Sequence, residues 1–231
     1  MGLTRYINAI YQYQSPDIIV DNTLVQYASE IKYLSITISS TLSWDKHITN
    51  TTNKIRRTFY QLKLCKSLHP RGLRERLVIT LIFPHLDYCC YALTNVTAEQ
   101  NLRLYRAINA CVRFILDIRR DQHITPHYKT LRWLNVNDRR RYFVGCLLHI
   151  ILMTQQPYSI YVNLHRREES VRDTRAPDND LVSPLCRTEI FRQSFMATAI
   201  RIWNDIPLNI RRVRTHDLFK SLLYGHLLDN I

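Results

Sequence analysis

The side chains best placed to do chemistry in this chain are cations. Lys54, Arg56, Arg57, Lys63 and Lys66 fall close together, and Arg103, Arg106 and Arg113 recur with Ala110 at spacings of three, four and three. On a helix the second spacing makes a single stripe. Guanidinium and ammonium groups gathered on one face suit a polyanion. Each neutralised phosphate releases condensed counterions, and contacts to the backbone read no sequence. The bland alternative for the first group is a solvated helix face; for the second it is pairing with Glu99 or Asp117. Arg139-Arg140-Arg141 wraps most of a helical turn, so the three cannot face one ligand and at least one is structural.

Other reactive side chains are poorly arranged for catalysis. Two-metal chemistry needs neighbouring carboxylates, and the chain has no Asp-Asp or Asp-Glu pair. Asp178 and Asp180 lie close, but in a polar stretch that reads as a solvated loop. His123 and His127 have metal-compatible spacing, yet Pro126 between them breaks a shared helix face and no Cys or acid completes a zinc site. The six cysteines are scattered without a C-x-x-C pair and read as reduced thiols of an intracellular protein. Cys89-Cys90 reads as a packed, inert segment, and Cys146 and His149 as core. No catalytic residue and no metal or cofactor site is expected in this chain.

The elements that must hold these residues are mostly helices. Tyr6–Tyr11, Ile18–Val20 and Tyr33–Ile38 read as short strands, too few and too thinly apolar to make a self-sufficient sheet. Ser43 is placed to cap a long helix, with Asp45 in its first turn and Ile48, Ile55, Phe59 and Leu62 on one apolar stripe. Arg56, Arg57 and Lys63 project from the flank and back of that stripe. A second helix runs Leu73–Phe83 and stops at Pro84. Thr97 to Gln100 spells a capping box for a third, which should bury Leu102, Tyr105, Ile108, Val112 and Ile115. Thr125-Pro126 opens a short helix, and Asn137 caps another from Asp138 to about Met153, closed by Pro157. Residues 164–187 read as a loop or linker. Two helices follow, one ending near Trp203-Asn204 and one from Thr215 to Leu228. The fold class is therefore mainly α, a helical bundle and C-terminal helices preceded by a small β-hairpin or sheet remnant. Its parts are residues 1–43, a basic helical region 44–160, and 161–231.

Charge agrees with the cationic motifs. Of a formal +13, residues 51–150 carry eighteen Lys and Arg against six Asp and Glu, whereas residues 1–50 hold three against four. Glycine is confined to Gly2, Gly72, Gly145 and Gly225, which disfavours phosphate-binding glycine loops. No apolar run approaches the roughly 18 residues of a membrane span, and no secretory signal is visible. No membrane association is expected.

Six short segments, in order, resemble landmarks of non-LTR (LINE-type) reverse transcriptases of the jockey or CR1 kind. They are Ile31-Lys32-Tyr33-Leu34 with Leu42-Ser43-Trp44, then Pro84-His85-Leu86-Asp87-Tyr88-Cys89, similar to "P-x-L-D-Y". Arg106 to Ile115 is similar to "Q-N-x-A-x-R". Leu131-Arg132-Trp133-Leu134, Trp203-Asn204-Asp205-Ile206-Pro207 and Phe219-Lys220 complete the set. The resemblance covers about residue 18 to the end. It implies the last strands of a polymerase palm, the thumb and a helical C-terminal region. The catalytic carboxylates, which hold Mg2+ in the intact polymerase, are expected upstream of residue 1. It further implies that Lys32 and Tyr33 sit in a hairpin gripping the primer strand, where Ser35 replaces the family's glycine. The helix bearing Lys54, Arg56, Arg57, Lys63 and Lys66 would be a thumb helix touching duplex backbone. The expected partners are RNA, an RNA–DNA duplex, and the palm and fingers of the parent polymerase, in nucleus or cytoplasm. A helical protein-interaction module, or the relic of a decayed mobile element, is the alternative.

Overall fold

The computed structural model describes residues 17–166 and 180–231; the strand expected at Tyr6–Tyr11 and the loop residue Asp178 lie outside the described residues. Among the described residues the chain is mainly helical, with four short strands near the N-terminus. It forms two compact units that divide between Thr49 and Asn50.

Among the described residues the first unit contains two antiparallel hairpins. Strands β1 (Ile18–Val20) and β2 (Thr23–Val25) pair Ile18 with Val25 and Val20 with Thr23. The Asp21-Asn22 link has φ of 47° and 56°, the left-handed conformation a two-residue type I′ turn demands and short polar side chains tolerate. Strands β3 (Glu30–Tyr33) and β4 (Ile36–Ser39) pair Glu30 with Ser39 and Tyr33 with Ile36. Here the link is Leu34-Ser35, with φ of 44° and 66°. Ser35 thus occupies a position glycine would adopt without a Cβ penalty.

Helix α1 (Asp45–Leu64) starts one residue later than a Ser43 cap would place it. The Trp44 carbonyl accepts the first helical bond, from Ile48 N–H at 2.9 Å, while Ser43 Oγ takes the Asp45 N–H at 3.3 Å. Ser43 therefore serves the turn ahead of the helix. The expected apolar stripe is real: Ile48, Ile55 and Leu62 are buried, and Phe59 meets the Phe114 ring edge-on with centroids 5.6 Å apart.

In the second unit, α1 is followed by a 3-10 turn at Lys66–Leu68, α2 (Arg71–Leu81), α3 (Phe83–Asp87), a 3-10 turn at Cys90–Ala92 and α4 (Ala98–Leu116). Pro84 lies in the first turn of α3, so it opens a helix and does not simply end one. The capping box of α4 is present in both directions. Gln100 N–H donates to Thr97 Oγ1 at 3.3 Å, and Thr97 N–H donates to Gln100 Oε1 at 3.0 Å. Its buried face differs from the expected one. Leu102 is exposed and Tyr105 half-buried, while Leu104, Cys111 and Phe114 join Ile108, Val112 and Ile115 inside. The reason is tertiary: α4 is contacted by α2, by α5 (Thr125–Leu131) and by α6 (Val136–Thr154), so more than one stripe is covered.

The cap of α6 is Asn135, two residues before the expected Asn137. Its Oδ1 accepts from the N–H groups of Asn137 and Asp138, each at 3.0 Å, and from the Tyr105 hydroxyl at 2.9 Å. Helix α6 is the spine of the C-terminal core. Val144, Leu148 and Ile151 pack with Ala199, Ile200 and Trp203 of α9 (Phe195–Asp205) and with Phe219 and Leu223 of α11 (His216–Asp229). Short helices α7 (Tyr158–Tyr161), α8 (Glu189–Arg192) and α10 (Leu208–Arg211) connect these. The stretch expected to be a loop or linker is anchored where it is described. Leu181 is fully buried and bridges Arg166, and Asn204 exchanges two 2.9 Å hydrogen bonds with the Leu181 backbone. Among the described residues no helix is long and apolar enough to cross a membrane.

Candidate nucleic-acid interface

Helix α1 separates its two jobs by angle. At about 100° per residue, Ile55, Phe59 and Leu62 share one narrow arc, and Arg56, Asn53, Tyr60, Arg57 and Lys54 spread around the rest. Lys54, Arg56, Arg57 and Lys63 are exposed, and none has an ion-pair partner among the described residues. Asn53, Arg56, Arg57, Tyr60 and Gln61 line one shallow surface depression. Tyr60, which sequence reasoning missed, is 63% exposed amid these cations and offers a ring on which a base or sugar can pack. Its signal was an aromatic residue on the polar side of an amphipathic helix.

The other cations narrow to structural work. Lys66 pairs with Asp117, which also receives Arg74 through two hydrogen bonds of 3.1 and 2.9 Å. Arg74 and Lys66 hold the Asp117 carboxyl down at about 2. Arg103 donates to Glu99 at 2.8 Å. Arg113 donates to the carbonyls of Arg119, at 2.6 Å, and Gln122, at 3.1 Å, and so ties down the segment after α4. Of that stripe only Arg106 is exposed without an ion-pair partner among the described residues. In the first unit, Lys32 faces Thr37 across the hairpin and Tyr33 is 64% exposed.

All three arginines at 139–141 are occupied. Arg139 pairs with Asp87 and lies 4.2 Å from the Phe83 ring centroid; Arg140 donates to Asn101 at 3.2 Å; Arg141 reaches Asp205 at 3.4 Å. Asp180 is not a solvated loop carboxylate: it accepts from Arg211 at 2.6 Å, and both side chains are largely buried. Burial, chiefly, pushes the Cys90 and Cys111 thiols up to about 12, so neither supplies a thiolate near neutral pH. His123 lies in a loop and His127 on α5, and the described residues hold no group of three or more potential metal ligands.

His149 is buried and stacked 4.2 Å from Phe219. Its Nε2 sits 2.8 Å from the Val213 carbonyl, which can only accept, so Nδ1 is left to receive the His216 Nδ1–H at 3.1 Å. Burial, then repulsion from Lys220 and His149, lowers the His216 pKa from 6.5; Asp217 opposes this in part. The unfolded chain therefore binds the proton first. Stability from this group is complete above about 6.5 and is lost as pH falls below it. Thermal unfolding at pH 7.5 and 5.5 should show a lower melting temperature in acid, and His216→Gln should flatten that dependence.

No family model, characterised protein or solved structure matches the chain.

Proposed function

We propose that this chain is a non-catalytic nucleic-acid clamp, equivalent to the thumb and C-terminal portion of a LINE-type reverse transcriptase. It grips RNA or RNA–DNA duplex by its backbone. The observation that carries this reading is the face of α1, where Lys54, Arg56, Arg57 and Lys63 stand exposed with no acid partner among the described residues. Such a face contacts phosphates without reading bases. The parent polymerase's palm and fingers are the proposed partner of the first unit. Its hairpins are two-stranded and expose Ile19, Tyr33 and Leu34 at 65, 64 and 69%. Polymerase Mg2+ does not fit the described residues: Asp180 is committed to Arg211, and among them no three or more potential metal ligands are gathered.

The test is anisotropy titration of the chain against an RNA–DNA hybrid between about 50 and 300 mM salt. Affinity should fall steeply with salt. Arg56→Glu/Arg57→Glu should weaken binding by at least about tenfold and reduce the salt slope by about two. A folded chain that ignores the hybrid, or a double variant that binds as before, overturns the clamp and favours the protein-interaction or relic reading.

A further inference from the structure

The exposed side chains of α1 have an order around the helix axis. At about 100° per residue, Tyr60, Asn53 and Leu64 share an arc of about 40° whose middle lies opposite the buried Ile55 and Leu62. Arg56 and Arg57 stand on either side of that arc, and Lys63 and Lys54 lie further out on the same two sides. All seven outward residues are exposed, Tyr60 at 63% and Leu64 at 67%. The face therefore has two cationic borders and, between them, a strip that holds a phenol, an amide and an apolar side chain.

Phosphate alone does not call for such a strip. Phosphate oxygens only accept, and the borders already supply donors, so the acceptor half of an amide or a phenol finds no use there. Two phosphate strands with sugars between them match every part of the face. The borders meet the strands, while Leu64 and the Tyr60 ring pack on sugar carbons. The amide and the phenol are each donor and acceptor, and so is a ribose 2′-hydroxyl. Groove dimensions then choose the duplex. A helix with its side chains is about 10–12 Å across, whereas the minor groove of B-form DNA is about 6 Å wide. The A-form minor groove is wide and shallow and displays the 2′-hydroxyls, and an RNA–DNA hybrid takes that form.

We infer that Asn53 and Tyr60 recognise ribose 2′-hydroxyls in the minor groove of an RNA–DNA hybrid, so that this face selects the hybrid over DNA duplex of the same sequence. The inference rests on the proposed clamp and adds a discrimination that phosphate contacts cannot give, because both duplexes offer phosphates.

Anisotropy titration of the whole chain against three duplexes of one sequence tests this. They are the RNA–DNA hybrid, the DNA duplex, and a hybrid whose RNA strand carries 2′-fluorine, which keeps A-form geometry without the O–H donor. The RNA–DNA hybrid should bind at least about fivefold tighter than either of the others. Asn53→Ala/Tyr60→Phe, shown folded by circular dichroism, should bring hybrid affinity to within about twofold of that for DNA. Its salt dependence should match the parent's, since no phosphate contact is removed. Equal binding of hybrid and DNA, undiminished binding of the 2′-fluoro hybrid, or a preference that survives in the double variant overturns the inference. If all three duplexes bind alike and Arg56→Glu/Arg57→Glu abolishes that binding, the clamp stands and the hydroxyl reading alone falls. A folded chain that binds none of them overturns both.

Discussion

Asp87→Ala is expected to cost about 2–4 kcal/mol of folding stability, measured by urea denaturation at neutral pH. Arg139 donates through Nε and through a terminal nitrogen to the two oxygens of Asp87, and the side chains are 16 and 21% exposed. The same guanidinium lies 4.2 Å from the Phe83 centroid and 5.7 Å from that of Phe143. Without Asp87 a charge remains wedged among rings with its counter-ion gone, which costs more than the pair itself contributes. The partial exposure places the loss toward the lower end of the range for buried pairs. Because much of that loss is an uncompensated charge, Asp87→Leu/Arg139→Met should recover most of it. A single variant losing under about 1 kcal/mol would show that α3 and α6 are not held together by this pair. The outcome also bears on the resemblance: it would make the aspartate of the Pro84–Cys89 segment a packing residue and not a chemical one.

How much of this was legible in the sequence depended on whether a signal was local. The capping box at Thr97–Gln100 and the α1 stripe rest on interactions within a few residues of one another, and the structure has them. Misreadings arose where distant chain decided. Leu102 has the same hydrophobicity as Leu104, and only the placement of α2, α5 and α6 around α4 exposes one and buries the other. Asp180 sits in a stretch with no periodicity, and its burial depends on Arg211, thirty-one residues on. The candidate surface followed the same rule. Helix geometry alone put Arg56, Arg57 and Lys63 away from the apolar stripe. Lys66 and Arg113 were diverted by Asp117 and by the carbonyls of Arg119 and Gln122, partners that spacing along one helix does not reveal.

Gly145→Leu is expected to destabilise the chain by about 3 kcal/mol, lowering the melting temperature by roughly 6–12 °C. Gly145 lies within α6 where α11 packs against it. A Cβ there would stand 2.8 Å from Leu223 Cδ2 and 3.2 Å from Ile206 Cδ1. Those atoms are the tips of side chains that can rotate, and alanine favours the helix over glycine by about 1 kcal/mol. Gly145→Ala should therefore be close to neutral, the small clash and the helical gain offsetting each other. Leucine must find room for three further carbons in space already filled by Leu223 and Ile206, which moving two side-chain tips cannot provide. The helices would have to separate, exposing Phe219 and Leu223, both essentially fully buried. A Gly145→Leu protein as stable as the parent would mean that α11 does not dock this closely on α6. The position of Trp203, which stacks on Phe219 with centroids 5.9 Å apart, would then lose its support.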